Sequence, residues 1–444
     1  MRQSVCGDQQ RRNMFAAFEC QSQCPFSLQS SMSKRTRCDD GCFDDRPHPV
    51  KRHRSETEEN VAVAELRADA CGRLALFLDR LCQKYCGLLT APNGMLGRWI
   101  CCQQMFSKSS YSDPVLRVMH LQTAHESFVR ELCHEGIAPE SAQRVHAFFV
   151  AAVQREASRL HATKRVLSSG TCPRRVQCTR AAWGCPNDAC LQLYLSPRPS
   201  SLHHHRTVRI NEWHLEKLRR LYGLHTLNSG VWTGEANALF LQRVWAMLMR
   251  YRLFGDAGCQ AALPERCFEM LRASLGVTHE CYASPLNCYM PTYCSAYADT
   301  DKFFGSLGSF LDFAPLEGSF QCNPPFVEPV VAAMVDHIVE LCAQADEANK
   351  ALSFVVVLPR WYKSPAHCSI SSSKFTRAQL TLPPGTHVYK HGYQHQVPHG
   401  YRTFGKHTTV FFVQTQAASL RWPVSISHLH KFAECFRSPV LALA

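Results

Sequence analysis

The chain has 444 residues, a formal charge of +13 from 49 Lys and Arg against 36 Asp and Glu, and 24 cysteines. That length accommodates about two to four domains with an ample core. It contains no 18-residue apolar run of the kind that spans a bilayer. The amino end lacks the apolar stretch of a secretion signal, so the scattered cysteines are expected as reduced thiols in cytosol or nucleus.

Residues 1–60 are rich in Ser, Arg, Gln and Cys without sustained apolar periodicity and read as a disordered tail. Its two short basic clusters, at 34–37 and 51–54, suit nuclear import or a solvated tail about equally. From Val61 to about Leu160 the pattern is helical. Leu66, Ala70, Leu74, Phe77 and Leu81 form one stripe, and Val145, Phe148, Phe149 and Val153 another. Residues 161–210 break that pattern. Cys172, Cys178, Cys185 and Cys190 invite a zinc reading, but only the last pair has the tight spacing of structural sites, so a mobile basic insertion and no metal are expected. Helix resumes over 211–275 with Asn211 as N-cap. There Arg243, Arg250 and Arg252 interleave with Val244, Trp245, Leu248 and Met249, making these arginines candidates for phosphate or base contacts. The predicted division is therefore a helical domain over 61–275, an α/β domain over 276–430 and a tail over 431–444.

The α/β domain begins with a strand turning at Ser284-Pro285, within Cys281–Asn287. Phe310–Phe313 reads as a short strand in which Asp312 is the one carboxylate. A buried acid needs a partner: a ribose, an ammonium group or a structural cation. The candidate cofactor residues are Ser284, Pro285, Asn287, Asp312 and Phe313. Ser319–Cys322 is a strand that delivers Asn323-Pro324-Pro325-Phe326, and a helix with Val330, Met334, Ile338 and Leu341 on one face follows. Phe354–Leu358 is a strand buried on both faces. Strand, tetrapeptide, helix and buried strand make a doubly wound unit, whose ligands bind beyond the carboxyl ends of the strands.

The tetrapeptide suits methylation of an exocyclic amino group on a flat ring. That nitrogen is a poor nucleophile because its lone pair is delocalised. An Asn side-chain oxygen and a backbone carbonyl can each accept one N–H, drawing the nitrogen toward a tetrahedral shape. The prolines stiffen the chain, and Phe326 offers a face for base stacking. Val388–Tyr393 and Thr408–Gln414 are expected to pair as the closing antiparallel strands. Between Glu347 and Glu434 there is no acidic residue. Arg360, Trp361, Lys390, His395 and Lys406 fall in that interval and are candidates for contacts to a polyanion such as RNA.

The segments Glu280–Tyr289, Tyr293–Tyr297, Asp299–Asp301, Gly305–Gly308 and Leu311–Phe320, leading into Asn323–Phe326, resemble the catalytic domain of the cap-specific adenosine N6-methyltransferases. The resemblance extends over residues 205–425, through Leu358–Trp361 and His407–Phe412. That family is also described as factors interacting with the phosphorylated C-terminal domain of RNA polymerase II. The resemblance implies a class I, Rossmann-like methyltransferase domain using S-adenosyl-L-methionine. Its expected substrate is N6 of the 2′-O-methyladenosine following a 7-methylguanosine cap on RNA. Asn323 and the Pro324 carbonyl would hold N6. Nuclear residence and no membrane association are expected. The paired tryptophans of a WW module are absent before Trp99, which separates polymerase binding from catalysis. The tetrapeptide is also compatible with internal RNA or DNA adenine methylation, with dimethylation of the cap adenosine, and with a catalytically silent RNA-binding scaffold.

Overall fold

The computed structural model describes residues 61–105, 113, 115–116, 122–167, 176–181, 190–195, 207–227, 231–254, 257–396 and 400–437. The tail over 1–60, Cys172 and Cys185 lie outside the described residues. Residues 59–444 cluster as one compact unit.

Four helices open it: α1 (Val61–Cys86), α2 (Met95–Met105), α3 (Gln122–His134) and α4 (Pro139–Leu167). The buried stripe of α1 runs through Ala64, Arg67, Cys71, Leu74, Leu78 and Leu81, with Leu66 and Phe77 only half-buried. On α4, Val145, Phe149 and Val153 are buried, whereas Phe148 is exposed and stacks on Tyr85. The expected insertion carries structure: β1 (Val176–Ala181), β2 (Cys190–Leu195) and β3 (Thr207–Asn211) form an antiparallel sheet in the order β1-β2-β3. Its alternation was hidden by short strands; Val176, Leu191, Leu193, Val208 and Ile210 are its buried apolar members. Asn211 caps α5 (Glu212–His225) as expected, its side chain accepting from the His214 N–H. Then come α6 (Gly234–Tyr251) and α7 (Glu265–Leu275).

The second sheet carries the site. Its strands are β4 (His279–Ala283), β5 (Tyr293–Ser295), β6 (Gly318–Cys322), β7 (Leu352–Pro359), β8 (Thr376–Leu382) and β11 (Thr408–Gln414), in the order β5-β4-β6-β7-β11-β8. β5, β4, β6 and β7 run parallel, and β11 lies antiparallel between β7 and β8. All eight residues of β7 and all seven of β11 are buried, whereas β8 alternates, as an edge strand half-exposed to solvent should. The expected pairing of Val388–Tyr393 with Thr408–Gln414 is corrected. β9 (Val388–Lys390) and β10 (Tyr401–Thr403) form their own two-stranded ribbon. A seven-residue strand buried throughout needs a partner on both edges, which three residues of β9 cannot supply. Helix α8 (Ala298–Asp301) follows β5. Helix α9 (Glu328–Glu347) has Pro329 in its first turn and Val330, Met334, Ile338 and Leu341 inward, as the spacing predicts. Helices α10 (Pro365–Ser372), α11 (Gln416–Arg421) and α12 (Ile426–Phe436) complete the chain. No helix among the described residues is long and apolar enough to cross a membrane.

Phe310–Asp312 is a 3-10 turn, not a strand. The Ser309 hydroxyl accepts from the Leu311 N–H and fixes that turn locally. Phe310 is buried against Tyr282, His337 and Phe354, leaving Asp312 exposed, so it does not need the partner that a buried acid would.

Candidate active site

Asn323 follows the last residue of β6, at the carboxyl end of the parallel strands. The Asn323 Nδ2 donates to the Ala261 carbonyl at 3.0 Å. Its Oδ1 is buried and has no partner. An amide so held turns its acceptor away from Ala261, and Asn323 itself lines a small cavity. That cavity, about 40 Å³, is bounded by Tyr282 and Ala283 at the end of β4 with Asn287 beyond it, by Ser295 at the end of β5 with Ala296 beyond it, and by Asn323–Phe326. Tyr251, Phe254, Tyr389 and the segment Gly258–Ala261 close it. The Tyr282 hydroxyl is a second buried polar atom without a partner there.

Phe326 forms a wall. Its ring packs edge-on to Trp361 at 6.4 Å and Tyr389 at 6.1 Å, and tilted against Phe404 at 5.9 Å. On its other side lies a wide cleft of about 920 Å³ between α2, α3 and the ends of β6 and β7. Arg98, Arg130, Arg360, Lys363 and Lys406 line it. Arg98 is paired with Glu131 and Arg130 with Glu328. Among the described residues Arg360, Lys363 and Lys406 have no salt-bridging carboxylate, so their charge faces the cleft uncompensated by a pair.

The structure therefore brings Arg360, Trp361 and Lys406 together beside Asn323–Phe326, but disperses the other candidates. Arg250 is 2 % exposed and makes a bidentate ion pair with Asp299 on α8. Arg243 stacks over Phe303 and donates to the Tyr222 hydroxyl. Arg252 is exposed and outside both cavities. Lys390 is ion-paired with Glu265. His395 is buried, and burial pulls its pKa down to about 4, so it is a neutral side chain rather than a phosphate ligand. The acid-free stretch is thus partly compensated by acids from earlier in the chain. Among the cofactor candidates, only Asn287 lines the small cavity. Ser284 is buried, and its hydroxyl is engaged within the protein by Gln260 and Asn287. Pro285 is buried in the same turn. Asp312 and Phe313 line neither cavity; Phe313 stacks on His279, the first residue of β4. Sequence reasoning missed Tyr282, Ser295 and Gln260, and the α2–α3 wall with Arg98, Trp99 and Arg130. Tyr282 and Ser295 fall in segments that carry the family resemblance, whereas no motif marks Gln260 or the α2–α3 wall.

Two buried acids underlie the site. Burial raises Glu280 on β4 to about 7, against the N–H groups of Tyr289 and Met290, which donate to it at 2.6 and 2.7 Å. Burial likewise raises Asp301 to about 7, although it accepts from Tyr251 and Thr300. A carboxyl whose pKa is raised on folding stabilises the fold below its unfolded value and loses that contribution as pH rises through the folded value. Glu280→Gln removes the charge. Its unfolding midpoint should gain on the wild-type protein as pH is raised from about 5 to 8. A midpoint difference independent of pH would show that Glu280 stays ionised throughout.

Residues 217–392 match the family model described as Phosphorylated CTD interacting factor 1 WW domain. The proteins named mRNA (2′-O-methyladenosine-N(6)-)-methyltransferase from Homo sapiens and from Mus musculus are each 31 % identical over 360 residues, which is 76 % of this chain and 49 % of theirs. The chain is similar to these proteins over about three quarters of its length. It spans about half the length of the curated relatives it matches. The match to the family model covers α6 through β9 and so includes β4–β6, Asn323–Phe326 and Arg360–Trp361.

Proposed function

We propose that the protein is an S-adenosylmethionine-dependent RNA methyltransferase acting on N6 of the 2′-O-methyladenosine next to a 7-methylguanosine cap. The observation that carries this reading is the buried, partnerless Asn323 Oδ1 at the end of β6, beside the aromatic wall of Phe326 and the basic cleft. The strand order β5-β4-β6-β7-β11-β8, with β11 reversed, supports a class I Rossmann-like domain.

The Tyr282 hydroxyl, buried and without a partner in the cavity beyond β4 and β5 where ligands of parallel sheets bind, is the group that fits a cofactor contact; the side chains of Asn287 and Ser295, which also line it, are engaged by Gln260 and Ser306. S-adenosylmethionine, when bound, supplies a methyl group already activated on a sulfonium. The protein then has to position the acceptor. Asn323 Oδ1 accepts one N–H of the adenine amine and the Pro324 carbonyl is offered to the other. Phe326 supports the ring by stacking, worth roughly 1–3 kcal/mol. With the donor activated, holding the reacting atoms in line is the main contribution left to the residues.

Arg360, Lys363 and Lys406 are proposed to grip the cap phosphates in the cleft, and Trp361 to border the nucleoside. Three phosphate contacts give a log–log salt slope of roughly −2 for single-stranded RNA. Lys406→Ala should weaken binding of all capped RNAs alike and reduce that slope by about 1. A binding constant indifferent to salt would remove the cleft from the proposal. A nuclear location and a phosphorylated polymerase tail as partner belong to the same proposal, the latter supported by the name of the matching family model.

The deciding experiment supplies labelled S-adenosylmethionine and matched RNAs beginning with 2′-O-methyladenosine, capped and uncapped. Label in N6-methyladenosine from capped RNA alone establishes the activity. Equal label from both moves it to internal or DNA adenine, and no label with no S-adenosylhomocysteine binding leaves an RNA-binding scaffold.

A further inference from the structure

The segment Gly258–Ala262 crosses the site as a strap, and it is tied on both sides of Ala261. On one side the Ser284 hydroxyl donates to Gln260 Oε1 at 3.0 Å, and Asn287 Nδ2 donates to the Gln260 carbonyl at 3.0 Å. Both partners lie in the turn after β4. On the other side Ala262 and Lys390 exchange backbone hydrogen bonds, at 2.8 Å from the Lys390 N–H and 3.4 Å from the Ala262 N–H. Lys390 is itself ion-paired with Glu265. Between these two anchors, the Ala261 carbonyl accepts from Asn323 Nδ2.

An asparagine amide has donors on its nitrogen and acceptors on its oxygen, so one fixed acceptor decides which end faces the cavity. Ala261 is that acceptor. Its carbonyl can hold the amide only if the strap is itself fixed, and Gln260 is the residue that joins the strap to the β4 turn. Gln260 is 6 % exposed and lies 63 residues before Asn323, outside the motif.

We propose that Gln260 is a positioning residue: by joining the strap to Ser284 and Asn287 it fixes the Ala261 carbonyl, and through it the orientation of the Asn323 amide toward the methyl acceptor. This rests on the reading of the site as an adenine N6-methyltransferase. It also explains why Ser284 faces the protein. Its hydroxyl links the turn on the cofactor side to the strap that holds the acceptor, so the Ser284–Gln260 and Asn323–Ala261 hydrogen bonds are joined through the backbone between Gln260 and Ala261.

Gln260→Leu keeps the size and removes the acceptor. It should lower kcat about 10-fold on capped RNA, with KM for RNA within 2-fold of wild type and an unfolding midpoint within a few degrees. Ser284→Ala removes the same bond from the other side and should show the same split, and the double variant should be no slower than the slower single one. Gln260→Glu retains an acceptor for Ser284 and should recover most of the lost kcat. If Gln260→Leu is poorly folded, Ser284→Ala and Gln260→Glu carry the test. Undiminished kcat in Gln260→Leu or Ser284→Ala, or losses that simply multiply in the double variant, overturn this inference alone. No transfer by the wild-type protein overturns the proposed function, and this inference with it.

Discussion

Asn323→Ala should reduce methyl transfer by at least 10²–10³-fold, on the order of the loss when one preorganised polar group is removed from a reaction centre, while RNA binding stays within a few-fold of wild type. The asymmetry follows from where the contacts lie. On the proposed reading, affinity for a polyanion is spread over Arg360, Lys363 and Lys406 of the wide cleft, whereas the acceptor for the amine is the single buried oxygen of Asn323. Asn323→Asp is the sharper probe. Its carboxylate still offers acceptors, but it loses the donor that binds the Ala261 carbonyl, and two oxygens would then face each other across a 3.0 Å gap. We therefore expect Asn323→Asp to be nearly as slow as Asn323→Ala. Near-wild-type turnover by the alanine variant would end the assignment of this residue.

The elements legible in the sequence were those in which one local pattern decided the outcome. Phe354–Leu358, five of the eight buried residues of β7, form a continuous apolar run; α9 shows helical spacing and a proline in its first turn; and Asn211 precedes α5 as a cap. The tetrapeptide was legible because its chemistry is held in adjacent residues. The remainder depended on partners distant in the chain. Arg250 looked like one of three free cations until Asp299, 49 residues on, proved to lie against it. Lys390 met Glu265 in the same way, across 125 residues. Asp312 was read as a buried acid because its neighbours are apolar, but a 3-10 turn points Phe310 inward and leaves Asp312 in solvent, where a strand alternation would have buried it. The cleft wall from α2 and α3 left no trace at all, since Arg98 and Arg130 sit in ordinary helical sequence and acquire meaning only opposite Arg360 and Trp361.

Asp113→Ala should be the most destabilising single change in the helical layer, by about 3–5 kcal/mol, as expected when one partner of a buried ion pair is removed. Asp113 is 1 % exposed and holds Arg67 of α1 through Nε at 3.1 Å and Nη2 at 2.9 Å, with Lys164 of α4 at 2.8 Å. The N–H groups of Val115 and Leu116 also donate to it. Burial alone would raise its pKa, but the two cations and these hydrogen bonds outweigh it and hold the carboxyl far below the usual range. Truncation leaves the Arg67 guanidinium, itself 2 % exposed, without its carboxylate in the core. By contrast, Arg73 at the pair with Glu156 has a half-exposed side chain, and Arg73→Ala should cost only about 0–1 kcal/mol. The unfolding midpoint should fall on the order of 5–10 °C for Asp113→Ala and by about 2 °C or less for Arg73→Ala. Equal small shifts for the two would mean that the buried network adds nothing to the fold. Because α2 and α3 pack with this layer and form one wall of the cleft, Asp113→Ala assayed well below its midpoint should raise KM for capped RNA more than it lowers kcat. That is the reverse of the split expected at Gln260, and the two variants together separate the wall proposed to bind the RNA from the amide proposed to align its adenine.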